Sequence, residues 1–246
     1  MASPTQAVLR AELRLFTREP GSVFWIVGFP SALLVVLGLV PALREPIDGS
    51  EASFLALYVN VAILLAMLMA ALSAMPVVLA TYREQGILRR FATTPAKPRD
   101  LLVAQYGIHG LAAVVGGLLA VVVGRFAYGI ALPRNLIGFL IVFLLMLAAC
   151  LSIGGLIGGR ARTTKFATTI GTVLLFPLMF TAGAWLPVPL MPELLGDIVG
   201  LTPLGAGAIA LSAAGAGDWP ELRDVVVVVG WTVAVGTAAT RSFRWE

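Results

Sequence analysis

TYREQGILRRFATTPAKPRD, residues 81–100, is the charged interval around which the rest of the chain is organised. It carries Arg83, Arg89, Arg90, Lys97 and Arg99 against Glu84 and Asp100, and it lies between two long apolar runs. Over the whole chain of 246 residues, 59% of side chains are hydrophobic and 12% charged, where a soluble domain has roughly 45–50% and about 25%. A soluble fold of this size cannot hide that much apolar surface, so the expected solvent is a bilayer. The single cysteine, Cys150, sits inside an apolar run and excludes an internal disulfide framework or a multi-cysteine metal site.

Outward from residues 81–100, the apolar runs have the length a membrane requires. About 20 residues of helix match a ~30 Å hydrocarbon core. Runs over 22–43, 54–80, 101–123, 136–157, 166–184 and 225–240 predict an all-α integral membrane protein with six transmembrane helices in one domain, 1–246. Pro76 predicts a kink near Leu72, whose carbonyl loses its helical donor. Gly154, Gly155, Gly158 and Gly159 form overlapping small-xxx-small pairs suited to close helix packing.

Residues 1–20 predict an N-terminal interfacial helix. Arg10, Arg14 and Arg18 recur on one stripe, with Leu9, Leu13 and Phe16 on an adjacent apolar stripe, before Pro20 and Gly21 break it. A frayed terminus competes with this reading, and a cleaved signal peptide competes with the span over 22–43, although that apolar run exceeds the ~7–15 residues of a signal. The stretch 185–224 is interrupted by Pro187, Pro189, Pro192, Pro203 and Pro220. Within it, Leu194, Leu195, Ile198 and Val199 share one helical face opposite Glu193 and Asp197, and 204–213 is too short to span. The pattern predicts a re-entrant outer-leaflet helical hairpin before the last span, whose helix a capping box of Asp218 and Glu221 would open.

Orientation follows from the basic residues. With the N-terminus inside, only Arg44, Arg125, Arg134 and Arg223 of the 17 Lys and Arg fall outside, which predicts both termini in the cytoplasm. The basic balance is thus topological, and no nucleic-acid partner is expected. A nucleotide-binding loop needs a lysine after glycine, but Lys97 follows Ala96 and Lys165 follows Thr164. His109 is the only histidine, and a lone histidine in a span is more often bonded within the bundle than a ligand or base. The spans are also short of the carboxylates that ion-driven carriers place near the midplane. With no catalytic motif and no energy source of its own, the chain is expected to be a non-enzymatic subunit with a partner. Residues Tyr82 to Phe91 can form a short helix stopped by Thr93, Thr94, Pro95 and Pro98. By charge alone the better reading is a solvated loop that only sets orientation.

The residues here resemble those of a family. Arg83, Glu84, Gly86, Leu88 and Pro95 fit the pattern R-E-x-G-x-L-x-x-L-x-x-T-P found between the second and third spans of ABC-2 type (type-2 ABC exporter) permeases, with Phe91 where leucine is usual. Gly183, Leu186, Pro187, Met191, Pro192 and Pro203 resemble the family's outer hairpin, and Arg241, Phe243 and Arg244 resemble the ending of its short drug-export members. The resemblance implies a permease that dimerises with itself or a sibling in a bacterial plasma membrane, above two copies of an ABC ATPase subunit that hold the ATP and Mg. No cofactor is expected in this chain. It implies that 81–100 is a cytoplasmic coupling segment, with Tyr82, Arg83, Glu84, Gln85, Gly86, Leu88, Arg89 and Phe91 as ATPase-docking residues, and that residues 1–20, with Arg10, Arg14 and Arg18, form a connecting helix on membrane lipids. Pro187, Pro192, Glu193, Asp197 and Pro203 would mark the hairpin of 185–224. Thr168, Thr169, Thr172 and Thr181 would line the pathway as a polar strip in otherwise small and aliphatic walls. The expected cargo is amphipathic or hydrophobic, drug-like or lipid-like, as in antibiotic resistance. The alternatives are polysaccharide or glycolipid export by the same architecture, or an ion-coupled secondary carrier.

Overall fold

A computed structural model describes residues 4–47, 52–87 and 98–242. The described residues form helices and connecting turns, without a strand: α1 (Pro4–Thr17), α2 (Pro20–Gly38), α3 (Phe54–Glu84), α4 (Pro98–Tyr128), α5 (Leu136–Arg160), α6 (Thr164–Thr181), α7 (Glu193–Val199), α8 (Pro203–Ala216) and α9 (Leu222–Ser242). Six of them, α2, α3, α4, α5, α6 and α9, are long and apolar enough to cross a membrane. The protein is an all-α, multi-pass membrane protein. Its helices outrun the apolar stretches at several ends, because polar residues in interfacial turns still close helical hydrogen bonds. Pro20 opens α2 instead of only ending α1, since its fixed φ and missing N–H suit a first helical turn.

The bundle is arranged around α3, most of whose residues are buried. Pro76 does not simply kink it. The six residues before Met75, Met69–Ala74, widen into a π-helical turn that absorbs the proline's clash and its missing donor. The same device recurs in α2, where a π turn over Phe24–Gly28 precedes Pro30. The carbonyls displaced from α3's ladder face glycines: a Cβ at Gly154 of α5 would overlap the Ala71 carbonyl oxygen, and one at Gly171 of α6 would overlap that of Leu72. Gly158, one turn beyond Gly154, lies against Leu79. The glycine pairs therefore let α5 approach the widened part of α3.

After α6 the chain turns back into the bundle. Helices α7 and α8 meet at 110°, and their elbow is pinned where Trp231 Nε1, midway along α9, donates to the Leu201 carbonyl at 3.1 Å. Helix α8 opens on Pro203 with Thr202 Oγ1 accepting from Gly205 N at 3.1 Å, and closes at Gly217 with φ +114. Its last carbonyls, on Ala214 and Gly215, accept from Asn135 N and Arg134 N in the α4–α5 turn. The hairpin thus enters and leaves from the same end of the bundle. The predicted apolar face of α7 is split in two: Val199 is buried and Leu195 half-buried, whereas Leu194 and Ile198 face out, 75% and 57% exposed. A short helix at the edge of the bundle buries one apolar edge in protein and leaves the other facing outward. The capping box is also displaced. Helix α9 begins after Glu221, whose carbonyl accepts from Val225 N at 3.2 Å, and the Asp218 carbonyl accepts instead from Asn135 Nδ2 at 3.0 Å.

Gly154→Ala or Gly171→Ala should cost about 1–3 kcal/mol, as overpacked contacts do, and lower the melting temperature of the detergent-solubilised protein. Gly107→Ala, where a Cβ meets nothing within 4 Å, should leave it unchanged or raised; equal losses at all three positions would contradict the crossing geometry.

Candidate functional site

The last turn of α3 holds the first residues of the 81–100 stretch, Thr81 to Glu84, and their side chains reach three neighbouring elements. Tyr82 donates its hydroxyl to Glu12 Oε2 of α1 at 2.7 Å. Arg83 Nη1 donates to the carbonyls of Gly158, at 3.0 Å, and Ala161, where α5 ends. Glu84 accepts from Thr164 N at 3.1 Å through Oε1, and from the Thr164 hydroxyl through Oε2, where α6 begins. Thr81 Oγ1 lies 3.3 Å from Thr164 Oγ1 and also donates to the Val77 carbonyl at 2.8 Å.

These bonds follow from what helix ends lack. The last carbonyls of α5 and the first amides of α6 have no partner within their own helix, and the two macrodipoles place negative charge at the first and positive at the second. A guanidinium at the α5 end and a carboxylate at the α6 start satisfy both with the favourable sign. Thr163 serves α6 as well, its Oγ1 accepting from Phe166 N at 3.2 Å. Glu84 is exposed, so each of its contacts is worth about 1 kcal/mol or less. Their effect is geometric more than stabilising.

The residue that seats α1 is one the periodicity did not single out. Leu9 and Leu13 are each 41% exposed, while Glu12 is 8% exposed, between half-buried Val8 and Phe16 one turn either side. Gln105 Nε2 of α4 donates to the same Glu12 Oε2 at 2.7 Å, so two donors converge on one oxygen. Burial pushes the Glu12 carboxyl above its usual range, against the opposing pull of the Tyr82 and Gln105 hydrogen bonds. One turn further along α4, His109 Nδ1 donates to the Gln105 carbonyl at 2.9 Å, the acceptor fixing the tautomer, and its ring meets Phe16 edge-on at 5.6 Å. Among the described residues, His109 Nε2 is buried without a hydrogen-bond partner.

The sequence model of the ABC-2 type transporter family matches residues 4–214, from α1 through most of α8. The chain belongs to the ABC-2 type transporter family. It is 28% identical over 170 residues to the inner membrane transport permease YhhJ of Escherichia coli K12, and equally to the protein of that name in Shigella flexneri. Each alignment takes in 66% of this chain and 44% of the relative, so the chain spans less than half the length of the curated relatives it matches.

In this member of the ABC-2 type transporter family the other residues singled out from sequence are dispersed. Gln85 follows α3, and Gly86, with φ +67, ends the helix there, so Tyr82 to Glu84 are the close of α3 and not the start of a separate helix. Leu88, Arg89 and Phe91 lie outside the described residues. Arg10 and Arg14 are exposed on α1, and Arg18 is exposed in the turn just after it. In the hairpin, Pro187 and Pro203 are buried, while Pro192, Glu193 and Asp197 are exposed. Thr168 and Thr169 are exposed on α6 and donate to the Thr164 and Lys165 carbonyls of their own helix; Thr172 is exposed, and half-buried Thr181 donates to Leu178 O.

At the opposite end of the bundle, a cavity of ≈ 620 Å³ opens among α3, α4, α5 and α8, its lining including Arg44, Asn60, Tyr128, Arg134, Phe139 and Ser212. Asn60 Nδ2 donates to Ser212 Oγ at 3.3 Å, and the Arg44 guanidinium lies 5.2 Å from the centre of the Tyr128 ring. Asn60, a lone amide in an apolar span, is the residue whose chemistry could have marked this cavity from sequence.

The raised Glu12 carboxyl gives α1 a pH dependence of definite sign. The contribution of the docked helix is full below the free carboxyl's range and is lost as pH rises through the higher docked-state value. Amide protection of α1, corrected for intrinsic exchange, should therefore fall with rising pH in the native protein and become flat in Glu12→Gln. Protection that rises with pH would contradict the seating of Glu12 between Tyr82 and Gln105.

Proposed function

We propose that the chain is the transmembrane subunit of an ATP-driven exporter, with its α1 end and both termini in the cytoplasm. The observation that carries the reading is where the R-E-x-G sequence falls. It closes α3, the helix around which the bundle is packed, and after Gly86 the chain leaves that helix at the end where α1 lies. A partner that engages residues 85–97 therefore has a short path into the core. The partner of matching chemistry is an ABC ATPase, two copies of which hydrolyse ATP with Mg below a pair of permeases formed by this chain with itself or a sibling. The docking residues are drawn from 81–100, the coupling segment, and α1 rides on membrane lipids as a connecting helix with Arg10, Arg14 and Arg18 facing outward. This orientation leaves most of the lysines and arginines on the cytoplasmic side.

The cavity at the opposite end then lies on the outer side, where cargo departs. Its mixture of aliphatic walls, an amide, hydroxyls and arginines suits an amphipathic compound, drug-like or lipid-like, better than a small ion. Among the described residues its lining includes no carboxylate, in keeping with an energy source outside the chain.

The reading is tested by co-purifying the chain with the ABC ATPase encoded beside it and reconstituting both into liposomes loaded with a lipophilic dye or an NBD-labelled phospholipid. The expected result is a stable complex that moves one of these probes only with hydrolysable ATP. Transport by the chain alone, driven by a proton or sodium gradient and surviving ATP depletion, would contradict it.

A further inference from the structure

Arg83 and Glu84 are charged, adjacent and at the edge of the bundle, which makes them natural candidates for contacts with a partner. Their bonds point the other way. Arg83 Nη1 is on the terminal carbonyls of α5, and both Glu84 oxygens are on Thr164, the first residue of α6. Thr81 Oγ1 adds a third contact to the same threonine at 3.3 Å. One turn of α3 thus holds the whole α5–α6 turn, from Gly158 to Thr164.

Two further features give this clamp a mechanical meaning. Helix α6 buries little of its length in the bundle; of its residues only Ala167 and Gly171 are fully buried. Its second close approach to α3 is at Gly171, against the Leu72 carbonyl of the π-helical turn. The segment of α3 between those two points, Met75–Glu84, therefore has a widened, proline-flanked turn at one end and the clamp at the other. π turns and prolines are where helices bend. A tilt of this segment about the π turn carries the α5–α6 turn with it, because the clamp ties the two at the moving end.

We infer that Arg83 and Glu84 are positioning residues for transport: they lash the α5–α6 turn to the last turn of α3, so that displacement of the segment following α3 becomes displacement of α5 and α6. Neither is an ATPase-docking contact. The inference rests on the proposed ATP-driven function for its purpose, but the clamp itself is independent of that reading. The Glu84 bonds are exposed and contribute little to stability, and the part-buried Arg83 bonds go to helix-end carbonyls at the edge of the bundle, so their loss should separate coupling from folding and from partner binding.

The experiment uses Arg83→Ala and Glu84→Ala in the permease–ATPase complex. Both variants should retain the ATPase on co-purification and keep hydrolysing ATP, while probe export per ATP falls by about tenfold, within the roughly 5–150-fold range typical of coupling between sites. Restoring the tie by other means should restore transport. Thr81→Cys and Thr164→Cys, joined by diamide oxidation in a Cys150→Ser, Glu84→Ala background, should recover export, and reduction should abolish the recovery. Loss of the ATPase from either alanine variant would overturn the inference and assign the pair to docking; unchanged export, or no recovery on cross-linking, would also overturn it. In the permease without its ATPase, Glu84→Ala should speed amide exchange at Thr164. An unchanged rate there refutes the clamp whatever drives transport, whereas a native chain that binds no ATPase but shows the faster exchange refutes the ATP-driven reading and leaves the clamp standing.

Discussion

The α5–α6 turn is built from helix ends that cannot satisfy themselves, and the two adjacent charges of Arg83 and Glu84 supply what is missing. Near a bilayer that need is sharper than in water, because free carbonyls and amides find few other partners. Meeting it from a neighbouring helix, in addition to the turn's own Thr163, makes the geometry of three helices a single unit. Tyr82 extends the unit to α1 through Glu12, and Gln105 extends it to α4. Four elements beyond α3 are thus referred to one of its turns.

The packing above that turn has the same economy. Pro76 disrupts the ladder of α3 and the π turn spreads the disruption over Met69–Ala74. The carbonyls exposed by it are covered by Gly154 and Gly171, which bring α5 and α6 close because they carry no side chain. The place where α3 is least regular is also where its neighbours lie nearest. Irregular backbone within a membrane protein is tolerated where other helices bury it, and here that burial coincides with the point about which the terminal segment of α3 can pivot.

Much of this architecture could be read from the sequence. The six spans follow from apolar runs of the right length, and the family from a short pattern after the second span. What failed to show was the direction in which polar groups face. Glu12 lies between Arg10 and Arg14, and a carboxylate in that company reads as solvated; only its spacing of four from Val8 and Phe16 marks the buried stripe. The apolar face proposed for α7 was correct in residue type, yet protein and lipid both accept leucine, so hydrophobicity could not separate Leu195 from Leu194. Arg83 and Glu84 likewise read as surface charges, since composition is blind to helix ends brought beside them by long-range packing. Their contacts are with residues some eighty positions away, beyond the reach of any local pattern.

The central claim is that the last turn of α3 and the α5–α6 turn move as one body. Spin labels at Val78 on α3 and Phe166 on α6, outside the clamp itself, report their separation by dipolar broadening in the reconstituted permease–ATPase complex. The same broadening is expected in the nucleotide-free and ATP-bound complexes, in samples shown to be exporting cargo. A separation that changes between the two states would contradict it.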